Sequence, residues 1–174
     1  MLKKLFLSTL TALSLISLNA QTVNTEASKI NFTVKNMAFN RVEGTFTGMQ
    51  GQVYFNPNDI TDATMEVCID ASTVNTGNES RDHHLKNEDF FAVETYPNIC
   101  IEANEFKKYK DGFIAIGKLT MHGITQSVEI PFTYENLQII ADFKLKRKDY
   151  KVGEKTGNFM VGNEIEIHIQ CALN

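Results

Sequence analysis

From Lys29 to Leu173 the chain alternates. Ile30, Phe32 and Val34 are interleaved with Lys29, Asn31, Thr33 and Lys35, and Met65, Val67, Ile69 and Ala71 with Glu66, Cys68, Asp70 and Ser72. A period of two sends successive side chains to opposite faces of an extended strand, so such a chain builds sheet that is apolar on one face and wet on the other. The same pattern returns at Val42-Gly44-Phe46, Val53 with Phe55, Ile99 with Ile101, Phe113 to Met121, Val128-Ile130-Phe132, Ile139 to Leu145 and Glu164 to Leu173. Turn formers separate the runs at Asn56-Pro57-Asn58-Asp59, Lys110-Asp111-Gly112 and Gly123-Ile124-Thr125. About eight or nine strands joined by short turns predict an all-β fold, a single antiparallel barrel or sandwich. The exception is Ser80 to Phe91, SRDHHLKNEDFF, where Leu85 falls one turn from Arg81 and near Asp89; two or three turns of helix are expected there.

The first twenty residues are written differently. Met1-Leu2-Lys3-Lys4 is a short basic start, Leu5 to Leu18 is apolar apart from Ser and Thr, and Asn19-Ala20-Gln21 offers a small residue before a polar one. This is the layout of a secretory signal peptide cleaved near Ala20, so residues 1–20 are expected to be leader and residues 21–174 the barrel domain, periplasmic or secreted. No Cys follows the run to take a lipid, and the run is short for a membrane span. Losing the leader removes Lys3 and Lys4 and no acid, so the net charge goes from −4 to −6. An acidic surface repels phosphate backbones, which argues against a nucleic-acid partner. An oxidising compartment permits disulfides, and 3 cysteines leave one over.

Four segments resemble the YceI-like family of exported bacterial proteins. They are Ser28-Lys29-Ile30-Asn31-Phe32-Thr33-Val34-Lys35 with Val42-Glu43-Gly44-Thr45-Phe46 and Gly51-Gln52-Val53; Ser72-Thr73-Val74-Asn75-Thr76-Gly77 with Arg81-Asp82-His83-His84-Leu85, Asp89-Phe90-Phe91 and Tyr96-Pro97; Gly117 to Thr125; and Lys146-Arg147-Lys148-Asp149-Tyr150. Each alone is weak, and their order and spacing make the resemblance, which covers about Thr22 to Leu173. It implies an eight-stranded, lipocalin-like antiparallel barrel with an elongated apolar lumen, capped at one end by the short helix. It also implies a polyisoprenoid or similar long-chain amphiphile as ligand, an isoprenoid quinone or prenyl lipid, and no cofactor. The chain departs from the family at Asn36, where His is frequent, and at Lys146, where Asn is frequent. The connection from Lys151 to Gly162 matches no motif.

Strand parity selects the inward-facing residues as lumen candidates: Phe32, Val34, Phe46, Phe55, Ile69, Ile99, Ile101, Phe113, Leu119, Val128, Ile130, Phe132, Phe143, Leu145, Ile165 and Ile167. Taken singly, each reads first as a plain core residue, because a small barrel fills most of its interior; taken together, the Phe-rich set and the resemblance favour a lined cavity. At the helix, Arg81 and Asp82 either fix the helix over the mouth or, for Arg81, face a phosphate or quinone oxygen. Leu85, Phe90 and Phe91 are expected to plug the mouth. His83 and His84, with Asp82, Glu88 and Asp89 nearby, invite a metal, but helix neighbours point about 100° apart and no second Cys/His pair sits at ligand spacing. No metal is assigned. His122 and His168 read as exposed and inert.

Cys68 and Cys100 have the outward parity of their strands, so they can bridge if those strands are antiparallel neighbours; Cα atoms beyond about 7 Å would rule this out. Cys171 shares parity with Ile165, Ile167 and Ile169 and is expected inside. The functional expectation is a carrier that shelters a lipid tail without chemistry. The alternatives are an enzyme at the barrel mouth using Arg81, Asp82, His83, His84 or Asp149, and a filled structural barrel. A homodimer stays open.

Overall fold

The computed structural model describes residues 20–37 and 40–174. The leader reading of residues 1–20 falls outside the described residues except at Ala20. Ten strands are described: β1 (Gln21–Thr22), β2 (Lys29–Asn36), β3 (Asn40–Phe46), β4 (Gln50–Tyr54), β5 (Thr64–Asp70), β6 (Asn98–Tyr109), β7 (Gly112–Met121), β8 (Ile124–Glu135), β9 (Gln138–Lys146) and β10 (Val161–Ala172). All neighbours are antiparallel in one sheet of order β1-β4-β5-β6-β7-β8-β9-β10-β2-β3.

Two expectations need correction. The strands number ten rather than eight, and by main-chain pairing the sheet is an open, curled one rather than a closed barrel. The seam lies between β3 and β4. These strands are joined through Thr47–Met49, where Gly48 takes φ +73°, and the chain turns a corner there instead of forming a hairpin. Short contacts lace the seam at its two ends. Thr45 bridges Asn75 and Thr47 N–H donates to Thr73 Oγ1 at 2.9 Å, while Val23 bridges Leu173 and donates its N–H to Gly51 O at 3.0 Å.

A second discontinuity shapes the interior. β8 pairs with β7 from Ile124 to Phe132, but with β9 only from Phe132 to Glu135. Pairing stops at Pro131, which has no N–H to give to a ladder. Beyond it the two strands part, and the 3-10 turn Arg147–Tyr150 crosses towards β8, with Gln126 Nε2 donating to Asp149 O at 3.1 Å. That turn carries Arg147 and Tyr150 into the interior, where both are buried.

The helix α1 (Glu79–Lys86) supplies the two turns that the sequence suggests and stops short of residues 87–91. Asn78 caps it by accepting from Arg81 N–H at 3.0 Å, and its acids lie in the first turn and its bases in the last, as the helix dipole favours. It ends where Asn87 N–H bonds His84 O and Phe91 N–H bonds Leu85 O, which turns the chain down so that Phe90 and Phe91 enter the core. β6 is longer than its two isoleucines suggest, because the charged stretch after Ala103 continues as strand beyond a bulge at Ala103/Glu105.

Candidate functional site

The sheet encloses an apolar cavity of about 180 Å³. For scale, an engineered apolar void of about 150 Å³ in another protein stays dry and takes up benzene. Of the sixteen lumen candidates, Phe32, Val34, Phe46, Ile69, Ile99, Ile101, Leu119, Ile130, Phe132, Phe143, Leu145, Ile165 and Ile167 line it. Phe55, Phe113 and Val128 do not, which corrects the sequence reading. Phe55 stands at the far end, its ring 4.9 Å from Phe113, 5.3 Å from Phe132 and 5.1 Å from Tyr134, mostly edge to face. Such aromatic clusters are mutually stabilising and fill space, so this end is a plug. Val128 packs against both core clusters where β8 leaves β9.

Residues that parity alone left out complete the lining, among them Met49, Met65, Ala115, Met121 and Ala141. Gly44 explains one contact. It opposes Phe32 across β2 and β3, and a Cβ there would collide with the Phe32 ring. Glycine in the apolar register of β3 therefore lets an aromatic ring lie across the strand.

The cover at the α1 end is tied by polar contacts that turn away from the cavity. Arg81 Nε donates to Thr76 Oγ1 at 2.7 Å and its Nη2 to Thr76 O at 2.9 Å, while Asp82 Oδ1 accepts from Thr76 N–H at 2.8 Å and from the Thr76 hydroxyl. Arg81 and Asp82 are thus spent on fixing α1 to the loop before it, and neither lines the cavity. Leu85, Phe90 and Phe91 do line it. The Phe91 ring meets Phe46 edge-on at 5.4 Å. Gly153 N–H donates to Asp89 O at 2.9 Å, which ties this cover to the loop after the 3-10 turn.

Arg147 is a further lining residue that sequence reasoning did not single out. It is 3% exposed and is the one charged side chain among the described residues lining the cavity. Its guanidinium donates to five carbonyls: Gly162 at 3.0 Å, Val152 at 2.8 Å, Thr156 at 2.9 Å, Val161 at 2.8 Å, and Gly153. That accounts for all five N–H groups of an arginine. Burial pulls its pKa down from the ordinary value, though a guanidinium stays charged in proteins. The signal was the Lys151–Gly162 segment itself, whose carbonyls need a donor once it folds back over the mouth.

The remaining candidates are placed as follows. His83 and His84 are exposed on α1, with His84 Nε2 3.9 Å from Asp89 and its ring edge-on to Phe90. Among the described residues no three His, Cys, Asp or Glu side chains gather at metal-binding distance. His122 is half-buried rather than exposed, its Nδ1 3.1 Å from Tyr150 O, and its ring meets Tyr96 edge-on. His168 is also half-buried and pairs with Asp142 at 2.8 Å. Cys68 and Cys100 face each other directly across β5 and β6, with Cα atoms 4.0 Å apart and sulfurs bonded. Cys171 is buried, and burial pushes its thiol pKa up to about 11.

Comparison with known proteins places the chain. It is 31% identical over 101 residues to a UPF0312 protein of Yersinia pestis (strain Pestoides F), a match spanning 58% of this chain and 53% of that one. The chain thus covers about half the length of the first such relatives it matches. A UPF0312 protein of Serratia proteamaculans (strain 568) is 26% identical over 151 residues, spanning 81% of this chain and 79% of the relative. Among solved structures, Burkholderia cenocepacia BcnA superposes with a TM-score of 0.78 at 23% identity, over 86% of this chain and 98% of that one. A polyisoprenoid binding domain from Saccharophagus degradans, implicated in plant cell wall breakdown, superposes with a TM-score of 0.69 at 15% identity, over 89% and 98%. At these identities the structural likenesses speak to the fold. The YceI-like domain model matches residues 21–173, almost all of the described chain, so this protein belongs to the YceI-like family.

Proposed function

We propose that this protein is an exported carrier that holds the hydrocarbon tail of a polyisoprenoid or similar long-chain amphiphile in its lumen. The observation that carries the reading is the lining itself. Its side chains are apolar except for Arg147, whose donors are all taken by main-chain carbonyls of the connection before β10 and of the start of β10. Such a wall has nothing to offer a hydroxyl, carboxylate or phosphate, and a polar group drawn inside without a partner would cost roughly 1–3 kcal/mol or more. Apolar tail has no such penalty. Each buried CH₂ contributes about 0.8 kcal/mol, so a five-carbon unit is worth roughly 3–4 kcal/mol before the entropy of association. The ligand is therefore one whose tail goes in and whose polar head stays at the mouth. The solved relative described as a polyisoprenoid binding domain supports that ligand class, and the leader-like start at residues 1–20 supports export.

The test is native mass spectrometry of protein purified under mild conditions from a lipid-containing host, with the denatured mass taken alongside. Extra mass that vanishes on denaturation and is recovered in organic extract as a prenyl or other long-chain lipid is the expected result. A bare mass, unchanged after incubation with isoprenoid quinones and prenyl phosphates, would overturn the carrier reading and leave the fold a structural role. The N-terminal residue found in the same spectrum tests cleavage near Ala20.

A further inference from the structure

The outside of the mouth carries apolar side chains that the fold does not use. Phe159 is 64% exposed, Met160 49% and Met37 48%. They come from two separate segments, the end of the loop before β10 and the end of β2, and they are brought together. Met37 N–H donates to Met160 O at 3.2 Å. The loop that presents Phe159 and Met160 is held from beneath by Arg147, which binds the carbonyls of Thr156 and Val161 on either side of them. Three large apolar side chains held in water on an anchored support are costly unless something covers them.

The charge around this tip is the reverse of the chain as a whole. Lys35, Lys146, Lys151 and Lys155 are exposed and Lys148 is half-buried, on the strand ends and the loop that surround the tip. Among the described residues none of the five forms an ion pair; the nearby pairs are Lys144 with Glu164 and Glu166, and Arg41 with Glu166. Asp149 and Glu154 are the acids within the same loop region, and Glu164 stands opposite Lys146 on β10 and close to Lys35, so it offsets part of the rim. The whole chain has a net charge of −4, so a lysine-rich rim here is a local feature with its own direction. An apolar tip ringed by lysines matches the layered chemistry of an anionic bilayer, whose head groups attract the cations and whose acyl boundary accepts Phe and Met.

We infer that this protein docks mouth-first on an anionic lipid surface, with Phe159, Met160 and Met37 entering the acyl boundary and the surrounding lysines resting on the head groups. The cavity reaches this end, where Leu145, Val152 and Val161 line it, so docking sets the lumen against the bilayer. The inference concerns the outer surface and stands whether or not the lumen holds a tail.

The test is flotation with vesicles of phosphatidylcholine alone and of phosphatidylcholine containing about a third phosphatidylglycerol, at low and high salt. The chain is prepared from Gln21 onward, the span that holds every described strand and the family match, so that the apolar run at Leu5 to Leu18 adds no binding. The expected result is binding to the anionic vesicles that high salt releases. Phe159→Ser with Met160→Ser should weaken it roughly tenfold or more, and Lys151→Gln or Lys155→Gln about fivefold each, with unchanged melting temperatures. Absence of binding to anionic vesicles, or binding indifferent to both sets of substitutions, overturns the inference. So does self-association in sedimentation that the Phe159→Ser, Met160→Ser variant abolishes without any vesicle binding, since a second copy of the chain would then be what covers the tip.

Discussion

Arg147 Nη2 donates to the carbonyl of Val161 at 2.8 Å, so the turn that follows β9 is tied to the first residue of β10. The bond closes a long connection with one side chain. Without it, the carbonyls of Val152, Gly153, Thr156, Val161 and Gly162 would each need another donor. Arg147→Met should therefore destabilise the protein by on the order of 3 kcal/mol. Arg147→Lys should recover only part of that, because an ammonium has three donors and no planar fork. Urea unfolding measures both; an unchanged midpoint for the methionine variant would show that the loop holds itself.

The bond between Cys68 and Cys100 closes a loop of sequence separation 32. Restricting the unfolded chain over that span is worth roughly 3–4 kcal/mol. Reduction should lower the unfolding midpoint by a corresponding amount while leaving the sheet assembled. Alkylation in denaturant should label only Cys171 before reduction and all 3 cysteines after it. Three labelled thiols without reductant would show that the bridge does not form.

Cys171 makes stability depend on alkaline pH. Burial raises its folded pKa from 9.0 to about 11, so the neutral thiol belongs to the folded state. A raised folded value means that this contribution is fully present below pH 9 and is lost as pH rises towards 11. The loss should approach roughly 2 kcal/mol. Urea midpoints across this range should fall more steeply for the natural chain than for Cys171→Ala; parallel curves would mean that the thiol titrates alike in both states.

Ala115 is 1% exposed and lines the cavity from the middle of β7, opposite Ile130. A phenylalanine there would project into the void, where the cavity of about 180 Å³ leaves room for it. Ala115→Phe should keep or slightly raise the melting temperature and abolish uptake of a prenyl chain, followed by mass because the protein has no Trp to report it. A variant that folds and still takes up the tail would place the ligand elsewhere.

The alternation of Phe32 with Thr33, or Ile167 with His168, is a local property, and it determines by itself that these segments are strands and which side chains face inward. It also put Cys68 and Cys100 on one face and Cys171 on the other. Depth along the lumen is not local. Phe55 and Phe113 have the same inward parity as Phe46 and Ile101, yet they form the plug, because height in a curled sheet is set by the stagger between strands that pair at long range. The open seam between β3 and β4, and the parting of β8 from β9 above Pro131, likewise appear only once every strand has found its partner. Arg147 shows the limit most plainly. In sequence it stands among Lys146, Lys148 and Lys151, and nothing local sets it apart from them. Tertiary structure buries it, because five main-chain carbonyls of a segment folded over the mouth converge where only a guanidinium supplies five donors.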